Sequence, residues 1–352
     1  MSSVIGVDLG GTKVVVACLR RRELSESVLK PTDLSGSEAL IEQLVAMIGS
    51  IRPDDLAAVG IGVPSVVEFE TGRVVSSVNI PLADVPLRQV LGERLGVPVF
   101  VDNDATVAAL AEAHDTDLRL VARNLVMLTV GTGVGGGIVL GGRIFRGATG
   151  GAGELGHTLV GLPLEGARRV PAPSDGFPQP GSLEHVAAGH ALDRMSGQAA
   201  DEHPDSALGK LNAEGKQVLG ADAVVATYDG DPAAAEIVEI WAERVGIGIA
   251  NAINTFDPEE VVIGGGAARA GELLLEPARR VALGYIVPGL RGHATIRLAW
   301  HGVAAGVLGA ALLAAQEVSE SAGPRGVSGP GTAGPDAAGR QPLTAHEEAS
   351  GS

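Results

Sequence analysis

The run Asp102-Asn103-Asp104 places two carboxylates and an amide between a predicted strand and a predicted helix. One aspartate at such a position can simply act as the helix N-cap. A cap accounts for only one carboxylate, and the other can accept the proton of a substrate hydroxyl. Transfer of a phosphoryl group to an alcohol requires such a base. The run therefore indicates Asp104 as a general base beside Asn103, with Asp102 in a structural role.

The segment Asp8-Leu9-Gly10-Gly11-Thr12-Lys13 places a carboxylate at the end of a predicted strand, directly before a glycine turn. The backbone N–H groups of Gly10 and Gly11 can hold phosphate oxygens. Thr12 and Lys13 add a hydroxyl and a positive charge, and Asp8 can bind magnesium directly or through water. An ordinary glycine hairpin is the alternative explanation, because such turns commonly join two strands.

Two further glycine turns follow predicted strands. The turn at 131–137 matches the pattern G-x-G-x-x-G, but the chain continues as a strand where a dinucleotide loop must open a helix. We therefore predict a second phosphate-binding turn, with candidate residues Gly131, Thr132, Gly133 and Gly135. The third turn, Gly264-Gly265-Gly266, lets backbone approach a flat ligand, although a tight strand-to-helix turn is the alternative. No G-x-x-x-x-G-K-[ST] signature is present, so P-loop chemistry is excluded, and the recurrence predicts that the three turns converge on one nucleotide.

Polar side chains suited to a sugar occur after the second glycine turn. Glu154 and His157 follow a glycine-rich stretch, and Glu184 follows a proline-rich loop at 163–180. Carboxylates and imidazoles form good hydrogen bonds to sugar hydroxyls. A single histidine is often a surface or structural residue instead, so the pattern alone leaves the role of His157 open.

The elements that position these residues alternate between strands and helices in the first 120 residues. Ser35 and Glu38 predict a capping box before a helix in which apolar residues recur from Leu40 to Ile48. The other predicted elements are strands at Val4–Gly10, Val14–Leu19, Ala58–Val63 and Val99–Asp102, and helices at Leu87–Leu95 and from Ala105. This alternation predicts an α/β domain over residues 1–120.

Residues 121–302 are predicted to form a second, larger α/β domain. Asp231 and Pro232 indicate the start of a long buried helix, in which apolar residues recur every four positions to Ile253. The other predicted elements are strands at Leu125–Val130, Gly137–Leu140, Arg143–Phe145, Val261–Ile263 and Thr295–Trp300, and a helix at Ala267–Leu283. A helix at 303–316 is predicted to pack back on the first domain, and residues 318–352 to be disordered. The sequence shows no convincing internal repeat.

The composition excludes several function classes. The 352 residues carry a net charge of −16, which repels the phosphate backbone of nucleic acids. The single cysteine, Cys18, cannot form an intramolecular disulfide or a four-thiolate zinc site, and it fits a reducing cytoplasm. The apolar run Val303–Ala315 is shorter than the roughly 20 residues that span a bilayer. We therefore predict a cytoplasmic protein that binds neither nucleic acid nor a membrane.

These motifs, in this order, resemble the ROK family of sugar kinases, repressors and related open reading frames, over nearly all of residues 3–316. DLGGTK at 8–13 and GTGVGGGI at 131–138 resemble its two phosphate motifs, and GGG at 264–266 resembles its adenosine loop. GVP at 62–64, DND at 102–104 and GELGH at 153–157 resemble its sugar-side loop, catalytic run and sugar-binding signature. The resemblance implies the actin-like ATPase fold, with two ribonuclease H-like domains around a central cleft, and a homodimer.

The resemblance also implies cofactors and residue roles. ATP and Mg²⁺ are the implied cofactors, with Asp8 near the magnesium and Asp104 as the base. The residues implied to contact the sugar are Gly62, Asn103, Asp104, Glu154, His157 and Glu184. We expect transfer of the γ-phosphate of ATP to the 6-hydroxyl of a hexose, with glucose as the expected sugar. The alternatives are an N-acetylhexosamine, fructose or allose as acceptor, polyphosphate as donor, or a sugar-responsive regulator, for whose DNA-binding domain we expect no room before Val4.

One segment departs from the family pattern. The family usually carries three zinc-binding cysteines after the histidine, in Cys-x-Cys-Gly-x-x-Gly-Cys-Leu-Glu. Here Asp175, Phe177 and Ser182 stand at those positions. A tetrahedral thiolate zinc site therefore cannot form, and we expect no zinc. Because the zinc would shape the sugar-side loop, the identity of the sugar is the least determined part of the expectation.

Overall fold

The computed structural model describes residues 2–77, 79–162 and 170–322. The strands of the N-terminal part are β1 (Ser3–Leu9), β2 (Lys13–Arg20), β3 (Glu23–Leu24), β4 (Val28–Pro31), β5 (Leu56–Val63), β6 (Ser65–Glu68), β7 (Arg73–Ser77) and β8 (Val99–Asn103). Its helices are α1 (Ser37–Ser50), α2 (Leu87–Leu95) and α3 (Asp104–Glu112). The first sheet has the order β3-β2-β1-β5-β8, with β4 beside β2, while β6 and β7 form a separate hairpin.

The C-terminal part is built around a second sheet. Its strands are β9 (Leu125–Val130), β10 (Val134–Leu140), β11 (Arg143–Ile144), β12 (Glu260–Gly264) and β13 (Thr295–Leu298), in the order β11-β10-β9-β12-β13. The helices are α4 (Leu183–Ala187), α5 (Gly189–Glu202), α6 (Ala207–Ala213), α7 (Gly220–Tyr228), α8 (Pro232–Phe256), α9 (Glu272–Tyr285) and α10 (Ala305–Ala322). Helix α8 begins as predicted, with the Asp231 side chain accepting from the Ala234 N–H and Pro232 in the first turn.

The two sheets have the same topology. In each, a central strand (β1 or β9) pairs antiparallel with the next strand (β2 or β10) and parallel with a later one (β5 or β12). The outer strands β8 and β13 continue each sheet in parallel. The structure therefore contains a repeat that the sequence analysis did not find. Strand topology constrains the spacing of apolar residues but not their identity, so the chain path can repeat without a repeated sequence.

Helix α10 follows the second sheet but packs on β1, β5 and α3 of the first part. A Cβ at Gly6 would lie 2.0 Å from Val307 O, and one at Gly60 1.8 Å from Ala310 O, so only glycine permits this contact. By composition the helical stretch Gly302–Ser321 is long and apolar enough to span a membrane, with a mean hydropathy of 1.4. The length and composition of this helix therefore do not by themselves exclude a membrane span, as the shorter run Val303–Ala315 had suggested. The burial of its inner face in the core instead explains why this helix is apolar.

A buried carboxylate joins the two parts of the molecule. Glu112 ends α3 and has no exposed surface. It accepts hydrogen bonds from the backbone N–H groups of Trp300 (2.9 Å) and His301 (2.8 Å), just before α10. The Arg297 guanidinium of β13 donates to Glu112 Oε2 at 2.8 Å and to Glu260 Oε2 of β12 at 2.7 Å. The far end of α3 is thus bonded to the second sheet and to the segment that leads into α10.

The predicted strands and helices are confirmed with small shifts at their ends, but the capping box is wrong. The N-cap of α1 is Gly36, which has no side-chain hydrogen bond. The two residues of the expected box have other partners: Ser35 Oγ donates to Asp33 Oδ1 at 2.5 Å, and Glu38 pairs with Arg94 at 2.6 Å. Tertiary and turn contacts therefore replace the local cap.

Two other predicted boundaries differ. The helix expected at 267–283 is divided by Gly271 (φ 59°), which separates a 3₁₀ turn at Gly266–Ala270 from α9. Helix α10 extends to Ala322, so residues 318–322, predicted as disordered, are helical. The hydroxyls of Ser319 and Ser321 donate to carbonyls one turn earlier, and Arg143 pairs with the Glu317 and Glu320 carboxylates. The remainder of the predicted tail, 323–352, lies outside the described residues, as does part of the proline-rich loop, 163–169.

Candidate active site

Three parallel strands of the first sheet end at one edge. In the strand register Asp8 of β1 lies beside Gly62 of β5, and Gly62 lies beside Asp102 of β8. Neighbours in a parallel sheet point to the same face, so the two carboxylates flank a position without a side chain. A Cβ at Gly62 would lie 2.7 Å from Val107 Cγ2 and 3.4 Å from Asp104 Cα. Gly62 therefore lets the start of α3 approach the sheet.

The N-cap of α3 is Asn103 rather than either aspartate. Its Oδ1 accepts from the N–H groups of Ala105 (3.0 Å) and Thr106 (3.2 Å), and its Nδ2 donates one N–H to Ser65 O at 3.4 Å, which leaves the second N–H as a donor. Asp102 is buried; its Oδ2 accepts from Arg146 Nε at 2.7 Å and its Oδ1 from the Asn103 N–H at 2.9 Å. Asp102 thus bonds the strand end to Arg146 of the second part.

Asp104 is the first residue of α3 and keeps one carboxylate oxygen free. Its Oδ1 accepts from the Ala105 N–H at 2.7 Å, and its Oδ2 has no hydrogen bond within the described part of the chain. Burial raises the pKa of Asp104 to about 6, and repulsion from the Asp8 carboxylate acts in the same direction. The group is therefore ionised at neutral pH, yet it binds a proton more strongly than an exposed aspartate does.

Two adjoining cavities open in front of these residues. The smaller one, about 220 Å³, is lined by Pro64, Ser65, Val66, Ser76, Ser77, Asn103, Thr106, Gly136, Gly150, Ala152 and Glu154. The larger one, about 610 Å³, is lined by Pro64, Asn79, Asn103, Asp104, Ala105, Thr129, Gly131, Gly133, Val134, Gly135, Gly136, Glu154, His157, Glu184 and Gly265. Four residues belong to both and mark the border between the cavities, namely Pro64, Asn103, Gly136 and Glu154. Asp104 lines only the larger one.

The second and third glycine turns meet at the larger cavity. The Gly131 N–H donates to Gly133 O at 2.9 Å, which closes the turn between β9 and β10. A Cβ at Gly131 would lie 4.0 Å from the backbone nitrogen of Gly266. Gly265 has φ +80°, and a Cβ there would lie 2.4 Å from Val130 O. These turns therefore present bare backbone to the cavity.

The first glycine turn lies at the rim. A Cβ at Gly11 would lie 3.2 Å from the Asn79 Cβ, and Asn79 lines the larger cavity. Thr12 and Lys13 are exposed beside it. In the other turns Thr132 is exposed, and Gly264 is buried behind the wall, where a Cβ would meet Met127 Cε at 2.3 Å. The structure thus places all three turns around one cleft, with Gly62 and Gly264 in packing positions beneath it.

The predicted sugar-binding side chains lie along the same cleft. Glu184 Oε2 accepts from the Val134 N–H at 2.7 Å, so this carboxylate also holds the second glycine turn. A Cβ at Gly133 would lie 2.4 Å from that oxygen, which explains why the turn needs glycine. Glu154 and His157 are more exposed, with Glu154 Oε2 3.7 Å from His157 Nε2.

Hydrogen bonds and an aromatic contact hold the segment that lacks the zinc cysteines. The Phe177 and His157 rings pack edge to face, with their centroids 5.3 Å apart. Ser182, at a former cysteine position, is buried and caps α4 by accepting from the His185 N–H. The Gln179 amide closes the loop, accepting from the Ser174 N–H at 2.8 Å and donating to Ser174 O at 2.8 Å. These contacts order the described part of the loop.

Several cleft residues were missed by the sequence analysis. Ser65, Ser76 and Ser77 of the β6–β7 hairpin line the smaller cavity, and Asn79 and Thr129 line the larger one. Thr129 lies two residues before the second glycine turn, as Asp8 lies two residues before the first. The reasoning that selected Asp8, a polar side chain at a strand end before a glycine turn, could therefore have found Thr129. The hairpin carried no comparable signal, because isolated serines are common on surfaces.

A comparison with known proteins now identifies the family. The model of the ROK family matches residues 4–317. The chain belongs to the ROK family. It is 36% identical over 330 residues to a glucokinase of Halalkalibacterium halodurans, which covers 89% of this chain and 95% of the relative. It is 31% identical to an N-acetyl-D-glucosamine kinase of Haemophilus influenzae, over 88% and 98% of the two chains.

A solved structure agrees with this ROK assignment. The ROK family glucokinase from Streptomyces griseus, in complex with glucose and AMPPNP, matches with a TM-score of 0.72 at 31% identity, over 89% of this chain and 99% of that one. The expected actin-like ATPase fold is therefore confirmed. The repeated sheet topology is the form that this fold takes here. With Cys18 as its single cysteine, the chain lacks the zinc-binding cysteines usual in the family.

Proposed function

We propose that this chain is a glucokinase that transfers the γ-phosphate of ATP to the 6-hydroxyl of glucose. The observation that carries the proposal is the position of Asp104, a half-buried carboxylate with a raised pKa and a free oxygen in a glycine-lined cleft, beside a small polar cavity. The likeness to glucokinases over nearly the whole chain supports the choice of reaction.

Asp104 accepts the proton of the 6-hydroxyl while that oxygen attacks the γ-phosphorus. The bond from the γ-phosphorus to the bridging oxygen breaks, and ADP leaves. A pKa of about 6 keeps Asp104 ionised at pH 7 and still makes it a better proton acceptor than an exposed aspartate. Asn103 Nδ2, Glu154, His157 and Glu184 hydrogen-bond to the other hydroxyls and fix the orientation of the sugar.

The three glycine turns bind the nucleotide in this proposal. Backbone N–H groups of the turns at 10–12 and 131–133 hold phosphate oxygens, and Lys13 at the rim adds a positive charge. Gly265 and Gly266 let the backbone lie against the adenosine, because they carry no side chain. The second part of the molecule thus supplies most of the nucleotide site.

Asp8 fits the role of a magnesium ligand. Burial raises its pKa and Lys13 lowers it, and the Asp8 and Asp104 carboxylates repel one another. A Cβ at Gly306 of α10 would lie 2.6 Å from Asp8 Cγ, so this glycine leaves room for the carboxylate. No group of three His, Cys, Asp or Glu side chains in the described ranges can hold a metal alone, which suits an ion bound through one or two carboxylates, phosphates and water. Asp8 would hold the ion there, and Mg²⁺ would supply positive charge beside the transferred phosphoryl group.

ATP is favoured over polyphosphate by the charge of the cleft. The described residues that line the two cavities include no Lys or Arg. A long polyanion would need a continuous basic surface to offset its charge, whereas a nucleotide triphosphate is short and is bound by backbone groups and one metal ion. Replacing ATP by polyphosphate and following sugar phosphate directly checks this choice.

A kinase for N-acetylglucosamine is the second candidate, favoured by the H. influenzae relative. The polar residues of the cleft bind hydroxyls and do not by themselves distinguish the ring substituents. ADP release measured over glucose, N-acetylglucosamine, N-acetylmannosamine, fructose and allose decides between the candidates. Glucose should give the highest kcat/KM, and formation of glucose 6-phosphate should match the ADP released. A preference of tenfold or more for another sugar would contradict the assignment to glucose.

We further propose that the protein works as a cytoplasmic homodimer without a nucleic-acid partner. The net charge of −16 opposes binding to DNA or RNA. Light scattering coupled to gel filtration should give twice the mass of the chain. A gel-shift at moderate salt should show no complex with DNA.

A further inference from the structure

Ser65, the first residue of β6, has a buried hydroxyl without a partner. The residue is only 7% exposed, and its Oγ forms no hydrogen bond within the described part of the chain. Leaving such a group unpaired is unfavourable, because the hydroxyl has lost its hydrogen bonds to water without gaining others. Buried polar atoms are nearly always paired, so an exception in a functional cleft requires an explanation.

The position of Ser65 indicates where its partner comes from. The residue lines the smaller cavity together with Asn103 and Glu154. Its backbone is fixed on both sides, because Ser65 pairs with Ser77 in the hairpin and its carbonyl lies 3.4 Å from Asn103 Nδ2. Because the backbone is held, the hydroxyl changes direction only by rotation about the Cα–Cβ bond, between staggered positions.

We propose that Ser65 is a specificity-determining residue that hydrogen-bonds to a ring hydroxyl of the hexose other than the 6-hydroxyl. This inference rests on the proposed function. The 6-hydroxyl has to reach Asp104, which lines the larger cavity and not the smaller one. The opposite part of the ring then occupies the smaller cavity. A serine hydroxyl both donates and accepts, so it complements the Asn103 donor and the Glu154 acceptor there.

The test compares the wild-type enzyme and Ser65→Ala with glucose and a series of monodeoxyglucoses. Ser65→Ala should raise the KM for glucose about tenfold, the effect of one lost hydrogen bond, with kcat changed less than about threefold. One deoxyglucose should be used equally well by both enzymes. Its missing hydroxyl and the missing Oγ belong to the same hydrogen bond, so the two losses are not additive.

Ser196→Ala is the matched control. Ser196 is fully buried, but its hydroxyl donates to Leu192 O at 2.7 Å inside α5, and it lines neither cavity. This variant should leave the KM for every sugar unchanged. Without sugar, Ser65→Ala should melt at the same temperature as the wild type or higher, because it removes an unpaired group. That result separates lost sugar binding from lost folding.

The outcomes are distinct. A KM for glucose that is unchanged in Ser65→Ala, or a KM increase of the same factor for every deoxyglucose, overturns the role of Ser65 alone. A wild-type enzyme that phosphorylates no hexose overturns the proposed function, and the role of Ser65 with it.

Discussion

The two halves of the molecule follow the same path but carry different chemistry. The registers of the two hairpins make Asp8 of the first correspond to Thr129 of the second. Their parallel neighbours, Gly62 and Gly264, also correspond. Equivalent strand positions therefore hold a carboxylate in one half and a hydroxyl in the other. The neighbouring residue on the parallel strand is a glycine in both halves.

The next strand repeats this contrast. The residue beside Gly62 is Asp102, whereas the residue that packs beside Gly264 is Ala299. At these strand ends the carboxylates lie in the first half and bare backbone lies in the second, where Glu154 and Glu184 reach the cleft from other segments. Phosphates are repelled by carboxylates and attracted by backbone N–H groups, whereas a hydroxyl that must lose its proton needs a carboxylate. The asymmetry therefore assigns the proton acceptor to one half and the phosphates largely to the other.

The largest expected effect on stability comes from the bond between the halves. Glu112→Gln removes the charge that pairs with Arg297 in a fully buried site. Breaking one side of a buried ion pair should lower the free energy of unfolding by about 3–5 kcal/mol, measured in urea. Glu320→Gln is the control, since its carboxylate pairs with Arg143 at the surface and should cost less than about 1 kcal/mol. Equal losses would show that Glu112 does not bind the halves together.

Removing the charge of Asp104 should stabilise the folded protein at high pH. The folded-state pKa of Asp104 is raised from 3.8 to about 6, so the folded protein is penalised for ionising this group as the pH rises through that window. The free energy of unfolding of Asp104→Asn should therefore exceed that of the wild type by about 3 kcal/mol at pH 8. Below pH 4 the two values should differ little. Thr129→Val removes a hydroxyl that does not ionise from the lining of the same cavity, so it should change stability by an amount independent of pH. A pH-independent effect of Asp104→Asn would contradict the burial of its charge.

Gly264 and Gly265 of the second half should differ in how well they tolerate replacement by alanine. Gly265→Ala places a Cβ against Val130 O at a φ of +80° and should cost about 1–3 kcal/mol. Gly264→Ala meets only the flexible end of Met127, which can move, and should cost less. Thermal unfolding of both variants measures the difference. If both variants are equally stable, the bare backbone at Gly265 is not a structural requirement.

The smallest expected effect concerns the segment without zinc cysteines. Because Gln179, Ser182 and the contact of Phe177 with His157 hold this segment, dialysis against a zinc-selective chelator should leave the KM for glucose unchanged. Phe177→Ala should raise that KM by about threefold or less, since an exposed aromatic contact is worth about 0.5 kcal/mol, the lower end of the range for such pairs. A loss of activity on chelation, restored by zinc, would contradict the account.

The site motifs were predictable because each follows a strand end. Parallel strands bring their carboxyl ends to one edge, so local patterns at 8–13, 102–104, 131–137 and 264–266 predicted a common cleft without knowledge of long-range contacts. The order of the motifs then supported the fold, which the comparisons confirm. The roles of the individual site residues stay predictions until variants are measured.

The features that the sequence did not predict depend on contacts between residues far apart in the sequence. The Glu112–Arg297 bond spans 185 positions, and Arg146 reaches Asp102 across 44. No local pattern marks such partners, just as none marked Ser65. Ser35 shows the converse: the local capping signal was present, but its hydroxyl bonds to Asp33 instead. Tertiary and turn contacts decided each of these positions.

The most direct test of the asymmetry is the turnover of Asp104→Asn with saturating ATP and glucose, measured beside glucose binding by calorimetry. The account predicts a fall in kcat of about 100-fold or more, with the glucose Kd changed less than about fivefold. In the wild type, kcat/KM should fall tenfold per pH unit below a pKa of about 6. Near-normal turnover in Asp104→Asn, or a wild-type profile flat down to pH 5, would contradict Asp104 as the base.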